Sequence, residues 1–285
     1  MNRTYIISIL TLFLLCCSLS LKATGLACDF IYINGEKWAL MEKPIYADSA
    51  LYNRLNNFLP EKRGISTANW DGYTAFWIIK DRQLYLQKIE VDVYNKEKNE
   101  EYTINFNIDD LKKVFAPYYV PTGIHAKWFS GEIRAGRGKI IRYVHSGFDR
   151  NMEEECVTKI KKGKVKRYHQ YRNYKKAGVN LKDANAELTS RFPFHLFPEI
   201  KNRKTIFFLS DFKMYPDGHF IDCHVIAYLH DETKKMIEKQ RHPIIRAFKR
   251  TMKAVYPWTI FYINGKYTME FQNFTIPLIV RKGKT

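Results

Sequence analysis

Cysteine is scarce in this chain, acidic residues are outnumbered by basic ones, and long apolar runs are almost absent. Each shortage excludes something. Of the five cysteines, Cys16 and Cys17 sit in the one long apolar run, which leaves Cys28, Cys156 and Cys223. An odd set of thiols that small forms at most one disulfide, so the fold must stand on its core. No Cys-x-x-Cys or His-Glu-x-x-His spacing occurs. His219, Asp222, Cys223 and His224 lie close together, but along a strand His219 and Cys223 face one way and Asp222 and His224 the other. Gly136-Arg137-Gly138-Lys139 lacks the spacing and the Ser/Thr of a phosphate loop. His145-Ser146-Gly147 lacks the elbow that exposes a nucleophilic serine. Glu153, Glu154 and Glu155 alternate faces and read as exposed surface. With no catalytic constellation and no cofactor motif in view, a non-catalytic chain is expected.

The apolar run, Tyr5–Leu21, follows a short segment carrying Arg3 and precedes Ala23-Thr24-Gly25. That is the pattern of a secretory signal, cleaved near Leu26, so residues 1–25 are expected to leave. Two alternatives stay open. The run reaches the short limit for spanning a hydrocarbon core of ~30 Å as an uncleaved anchor, and Cys28 after Ala27 offers a lipidation site. In every case the chain is exported to the periplasm or cell envelope.

The formal net charge is +18. Part of the excess is concentrated in Lys159–Lys176, which holds nine Lys/Arg and no Asp/Glu. Lys161, Lys162, Lys164, Lys166 and Arg167 mark this patch, interleaved farther along with tyrosines. In an exported protein such a patch fits anionic lipid, lipopolysaccharide or an acidic partner better than nucleic acid. Its plainer reading is a solvated hairpin running into a basic linker.

The length after the signal suffices for two ordinary domains. Phe30–Met41 alternates around Asn34-Gly35, the strongest short-range hairpin signal, because a type I′ turn needs positive φ at both central residues. Asp48–Leu59 reads as a helix capped by Asp48 or Ser49, with Leu51, Leu55, Phe58 and Leu59 on one face and Pro60 stopping it. Strands are expected at Ile65–Trp70, Tyr73–Lys80, Gln83–Tyr94, Glu101–Asn107, Ile124–Ile133, Lys139–Ser146, Glu154–Ile160 and Lys164–Tyr171, with a short helix at Ile108–Phe115. Short connections predict antiparallel pairing. Residues 26–171 are therefore an antiparallel-sheet-rich domain in an α+β chain, with Trp70, Trp77 and Trp128 in cores, as is Trp258 farther on. Residues 172–204 break the composition and read as a connector, with Asp183–Ser190 helical.

Residues 205–285 carry the most informative order of elements. Thr205–Phe212 and His219–Tyr228 flank Tyr-Pro-Asp-Gly, with Pro216 and Gly218 at their preferred turn positions. Asp231–Gln240 is polar and reads as a short surface helix. Pro243 opens a stronger helix, Pro243–Val255, whose apolar face is Ile244, Ile245, Phe248, Met252 and Val255. Tyr256-Pro257-Trp258 ends it, Asn264-Gly265-Lys266 turns the chain, and Tyr267–Val280 is one long final strand. This succession resembles the C-terminal domain of TonB and its relatives. Asp217-Gly218, the helix, Pro257-Trp258, Asn264-Gly265-Lys266 and Ile276-Pro277-Leu278 are the matching positions, over about residues 205–281.

The resemblance implies one helix packed on a small antiparallel sheet and an open sheet edge that captures an extended segment of a protein partner. Phe271, Phe274, Ile276 and Leu278 are the candidate edge-strand residues, and the resemblance implies an outer-membrane or periplasmic protein partner and a link to TonB-dependent transport. The Pro-rich spacer of an energy transducer is missing. The competing class is an envelope hydrolase using Asp71, His125, Glu132, His145 or Asp149 as acid/base groups.

Overall fold

The computed structural model describes residues 25–95, 100–144, 146–198, 200, 204–230, 235–271 and 273–278. The expected signal, His145, the start of the Asp231–Gln240 helix and the Ile279-Val280 end of the last strand lie outside them. The architecture is α+β, with one ten-stranded mixed sheet, two small sheets and four α-helices among the described residues.

Strands β1 (Asp29–Ile33) and β2 (Glu36–Leu40) form the expected hairpin, with Asn34 and Gly35 at φ 52° and 82°. Helix α1 (Ser49–Phe58) starts where the Asp48 carboxylate accepts the Leu51 N–H, and buries Leu51 and Leu55. The chain then returns as β3 (Thr74–Lys80), which pairs parallel to β1. Among the described residues this is the one parallel pair in the expected antiparallel-rich sheet: the helix-containing connection from β2 is long enough to carry the chain past β1 to its other edge, which a tight hairpin cannot do. Ile65–Trp70 is not a strand. Reciprocal backbone bonds between Ser66 and Asn69 fold it into a tight loop.

Then follow β4 (Gln83–Asn95), β5 (Glu100–Phe106), α2 (Ile108–Phe115), β6 (Tyr119–Val120), β7 (Gly123–His125), β8 (Gly131–Tyr143), β9 (Arg150–Lys161) and β10 (Lys164–Arg172). Asn107 and Asp110 make a reciprocal capping box at α2. The sheet order is β10-β9-β8-β2-β1-β3-β4-β7-β6, with β5 on β4. A last pair, Lys164 with Gln83, joins β10 back to β4, so the sheet curls into a barrel. Leu84 N–H donates to Gly163 O and Val165 N–H to Arg82 O at this seam, both at 2.9 Å. Gly163 is obligatory there: it has φ +72°, and an added Cβ would lie 2.9 Å from the Ala126 backbone. Trp38, Trp77, Leu84, Leu86, Phe115 and Ile133 fill the interior.

A second hydrophobic cluster gathers residues 181–278. The expected connector is part of it. Strand β11 (Tyr174–Lys176) pairs with β15 (Ile260–Ile263), which also pairs with β16 (Lys266–Thr268), and α3 (Asn185–Arg191) buries Leu188. The four-stranded sheet runs β14 (Met236–Ile237), β13 (Phe220–His230), β12 (Lys204–Met214), β17 (Asn273–Leu278). Helix α4 (Pro243–Ala254) covers one face with its expected stripe, and Phe248 stacks on Phe207 with ring centroids 4.1 Å apart. Two expectations fail here. Met236–Ile237 is a strand where a surface helix was expected. The stretch read as one strand from Tyr267 is two, because Lys266–Thr268 turns back onto β15 and only Asn273–Leu278 joins β12.

The two clusters are stitched together. Arg142 donates to Glu270 O at 3.1 Å, and Asn173 Oδ1 accepts the Asn264 N–H at 2.9 Å.

Candidate functional site

Strand β17 is the terminal strand of its sheet, and no strand pairs with its outer side among the described residues. Its inner side is antiparallel to β12, from Thr205 opposite Leu278 to Ser210 opposite Asn273. Pro277 has no N–H to give, so it belongs where that missing donor faces away from β12. Main-chain groups alternate along an antiparallel pair, which puts Asn273 and Thr275 on the outer edge with Pro277. Their N–H and C=O groups form a short, unpaired template for another strand. Helix α3 packs beside β17, and its Leu188 belongs to the core.

The four candidate side chains divide. Ile276 and Leu278 are fully buried against the helix-covered core, and by the same alternation their main-chain groups face β12, so neither offers a contact to a strand added outside. Phe274 is half-buried and stacks on Phe271 at 5.1 Å, with Lys182 Nζ 4.7 Å above the Phe271 ring. The opposite face of the sheet is less covered. Phe208, Ser210, His224, Ile226, Met236 and Thr275 line a shallow depression of about 530 Å³ there, in which Phe208 and Met236 are 41% and 54% exposed. At the far side of the sheet the edge is closed differently. The Gln240 amide both donates to and accepts from Val225, acting as a one-residue strand.

The basic patch sits at the barrel seam. Lys161, Lys162, Lys164, Lys166 and Arg167 are all exposed on the β9–β10 hairpin. Its tip, with Lys162 and Gly163 at positive φ, lies against the β3–β4 tip, where Asp81 and Arg82 are also at positive φ. Arg82 Nη2 donates to Val165 O at 3.1 Å. Lys80, Arg82 and Lys127 enlarge the cationic surface, and His125 feels it: burial and then the Lys127 charge hold its imidazole below the usual range. Basic side chains on β10 also protect an edge strand from pairing with other chains.

The proposed acid/base groups do not gather. No hydrogen bond joins any two of Asp71, His125, Glu132 and Asp149 among the described residues. Asp71 accepts Tyr46 OH at 2.6 Å and Tyr52 OH at 3.1 Å, Asp149 binds Arg142, and Glu132 lies opposite Lys159. The barrel holds polar groups that sequence reasoning missed. Asp29, 1% exposed, takes Lys43 Nζ at 2.6 Å, Trp77 Nε1–H at 3.1 Å and the Ala75 N–H at 3.2 Å. Burial raises its pKa against the lowering by Lys43. Burial, then Asp29 and Asp71, lift the Tyr73 phenol well above its ordinary range. Glu155 corrects the exposed reading of the Glu153–Glu155 run: it is fully buried and accepts from the Arg134 guanidinium, from the Asn151 amide on both oxygens and from the Met152 N–H.

No three His, Cys, Asp or Glu side chains come together in a metal-holding group among the described residues. His219 instead pairs with Asp217 at 2.7 Å and stacks on Tyr256. Cys28, Cys156 and Cys223 are free thiols, and burial pushes Cys223 up to about 12. No protein-family model, no curated protein and no solved structure matches this chain.

Proposed function

We propose that this is an exported, non-catalytic envelope protein that binds an extended segment of a protein partner along β17. The unpaired outer edge at Asn273, Thr275 and Pro277 carries this reading, because strand addition draws its affinity from main-chain groups left free in that way. The exposed apolar side chains Phe208 and Met236, on the neighbouring sheet face, offer contacts that could select among partners. The turn, helix, Pro-Trp and Asn-Gly-Lys order supports a TonB-like module over residues 205–281, placed after a β-rich domain over residues 26–171. It ties the partner to the periplasm or outer membrane.

Export with cleavage near Leu26 is favoured over lipidation at Cys28. Leu26 N–H bonds Gly147 O at 2.9 Å and Ala27 N–H bonds Ala68 O at 2.8 Å, and lipidation would remove both residues. A second reading, adhesion to anionic lipid or lipopolysaccharide, draws on the two basic hairpin tips at the barrel seam.

The test of the first reading is Thr275→Pro, which deletes one outward N–H and leaves the inward bonds to β12. Affinity capture from envelope extract with the wild-type chain should recover a partner that the variant recovers about tenfold less well, while its melting temperature stays close to wild type. A partner held equally by both proteins, or no specific partner at all, would refute capture along this edge.

A further inference from the structure

Trp70 is the anomaly of the barrel. Its residue type pointed to a core, yet it is 69% exposed, whereas Trp38, Trp77 and Trp258 are at most 2% exposed. Large aromatic side chains are highly buried on average, and this one is exposed without being free. Its indole N–H donates to Thr67 O at 2.8 Å. The loop beneath is tied by the reciprocal Ser66–Asn69 backbone bonds, by Asn69 N–H to Ser66 Oγ at 3.0 Å, and by Gly72 N–H to Asn69 O at 3.3 Å. Arg63 also clamps Asp71 O. A rigid aromatic face presented to solvent loses little conformational freedom when a ligand covers it.

Trp70 forms one wall of a cavity of about 330 Å³ that Glu42, Tyr46, Asn69, Asp71 and Phe148 also line. That is the small end of the ~300–1,000 Å³ range of ligand pockets. The walls are mostly apolar, and the polar groups beside them include uncommitted acceptors. Asn69 Oδ1 is buried with no hydrogen-bond partner. Asp71, 3% exposed, is held in place by Tyr46 and Tyr52 and fills only about half of its lone-pair positions with them. Lys43 adds no free positive charge, because Asp29 engages its ammonium at 2.6 Å.

The complementary ligand has an apolar ring face and a rim of hydrogen-bond donors, and carries no negative charge. We propose that this cavity binds a sugar ring of a neutral glycan, with C–H groups on Trp70 and Tyr46 and hydroxyls donating to Asn69 Oδ1 and Asp71. Two competitors fit less well. A nucleotide would stack but bring phosphate against Glu42 and Asp71. An alkylammonium ion would satisfy the carboxylates but must approach a chain of net charge +18. The site is separate from β17 and stands or falls without it.

Trp70 reports on its own occupancy, since acrylamide quenches exposed tryptophans first. The test titrates the full mature chain with a trisaccharide of N-acetylglucosamine and a β-linked tetrasaccharide of glucose, with tetramethylammonium as the cationic comparator. At least one saccharide should shield the quenchable fluorescence saturably. Calorimetry on Trp70→Ala and Asn69→Leu should show binding of that saccharide weakened about tenfold or more, with melting temperatures close to wild type. The proposal is overturned if neither saccharide shields Trp70, if binding survives Trp70→Ala unchanged, or if only tetramethylammonium shields it.

Discussion

Replacing Lys43 by methionine isolates the least replaceable ion pair in the barrel. Lys43 and Asp29 are 7% and 1% exposed, and their atoms lie 2.6 Å apart. Breaking a buried pair from one side costs about 3–5 kcal/mol, because the surviving charge has lost its partner and cannot reach water. Trp77 Nε1–H and the Ala75 N–H still reach Asp29, so the low end, about 3 kcal/mol, is expected. The double variant Asp29→Asn/Lys43→Met removes the orphaned charge while an amide oxygen still accepts one of those donors. Its cost should fall to about 1–3 kcal/mol, that of one lost or unsatisfied hydrogen bond, so the double variant should be the milder one.

The pH dependence has a definite sign. Burial already holds the Asp29 pKa above its ordinary value, and Lys43 opposes that shift, so removing Lys43 raises it further. A carboxylate whose folded pKa exceeds the unfolded value of about 3.9 binds its proton more tightly when folded. Lys43→Met should therefore approach wild-type stability near pH 4 and lose ground as pH rises through the folded pKa, with the gap widest near pH 8. Urea unfolding at pH 5 and pH 8, followed by far-ultraviolet circular dichroism, measures both quantities. A loss under about 1 kcal/mol, a gap that does not change with pH, or a double variant worse than the single would refute the reasoning.

Phe248→Ala should cost about 3–5 kcal/mol by leaving a cavity against Phe207, read as an earlier urea transition in the emission of Trp258, which lies in the same cluster. Replacing Lys161, Lys162, Lys164 and Lys166 together with glutamine should leave stability within about 0.5 kcal/mol. If the basic tips adhere to anionic vesicles, the same variant should bind them more weakly and with a flatter salt dependence in a sedimentation assay. Cys156 and Cys223 should resist thiol reagents at pH 8 in the native protein and react at once in denaturant, since burial raises both. Rapid native labelling of Cys223, held up to about 12, would contradict that.

Local chemistry was the readable part. Asn34-Gly35 and Asn264-Gly265 turn where their residue types require positive φ, and the α4 stripe that ends on Met252 packs as its 3.6-residue period demands. Pairings between distant segments were not readable. Nothing near Phe30 announces that Phe76 lies beside it in parallel, because that choice is made by the whole crossover. The run from Ile65 alternates like a strand, but its Ser66 and Asn69 satisfy each other and leave no ladder to build. Strand alternation did contain a usable signal at the candidate edge: Phe274, Ile276 and Leu278 share one face, so burial of two foretells burial for most of the set. The Asp29–Lys43 pair and the Trp70 cavity join segments 14 or more residues apart and carry no local pattern.

Barrel closure has a consequence for how the chain reaches this structure. The β8-β9-β10 meander needs only neighbouring turns, and its pairs can form within microseconds. The seam between Lys164 and Gln83 instead closes a loop of roughly eighty residues, and loop-closure entropy must be met before the contact returns anything. Only a few backbone bonds at two hairpin tips reward that step. The seam should therefore form after the meander and the β1–β3 crossover, placing this barrel among the topologies that fold in milliseconds to seconds. Until then β10 presents a bare edge and the Gln83 end of β4, beyond its pairs with β5 and β7, is uncovered, and the lysines along β10 are positioned to keep two unfinished chains apart through that interval.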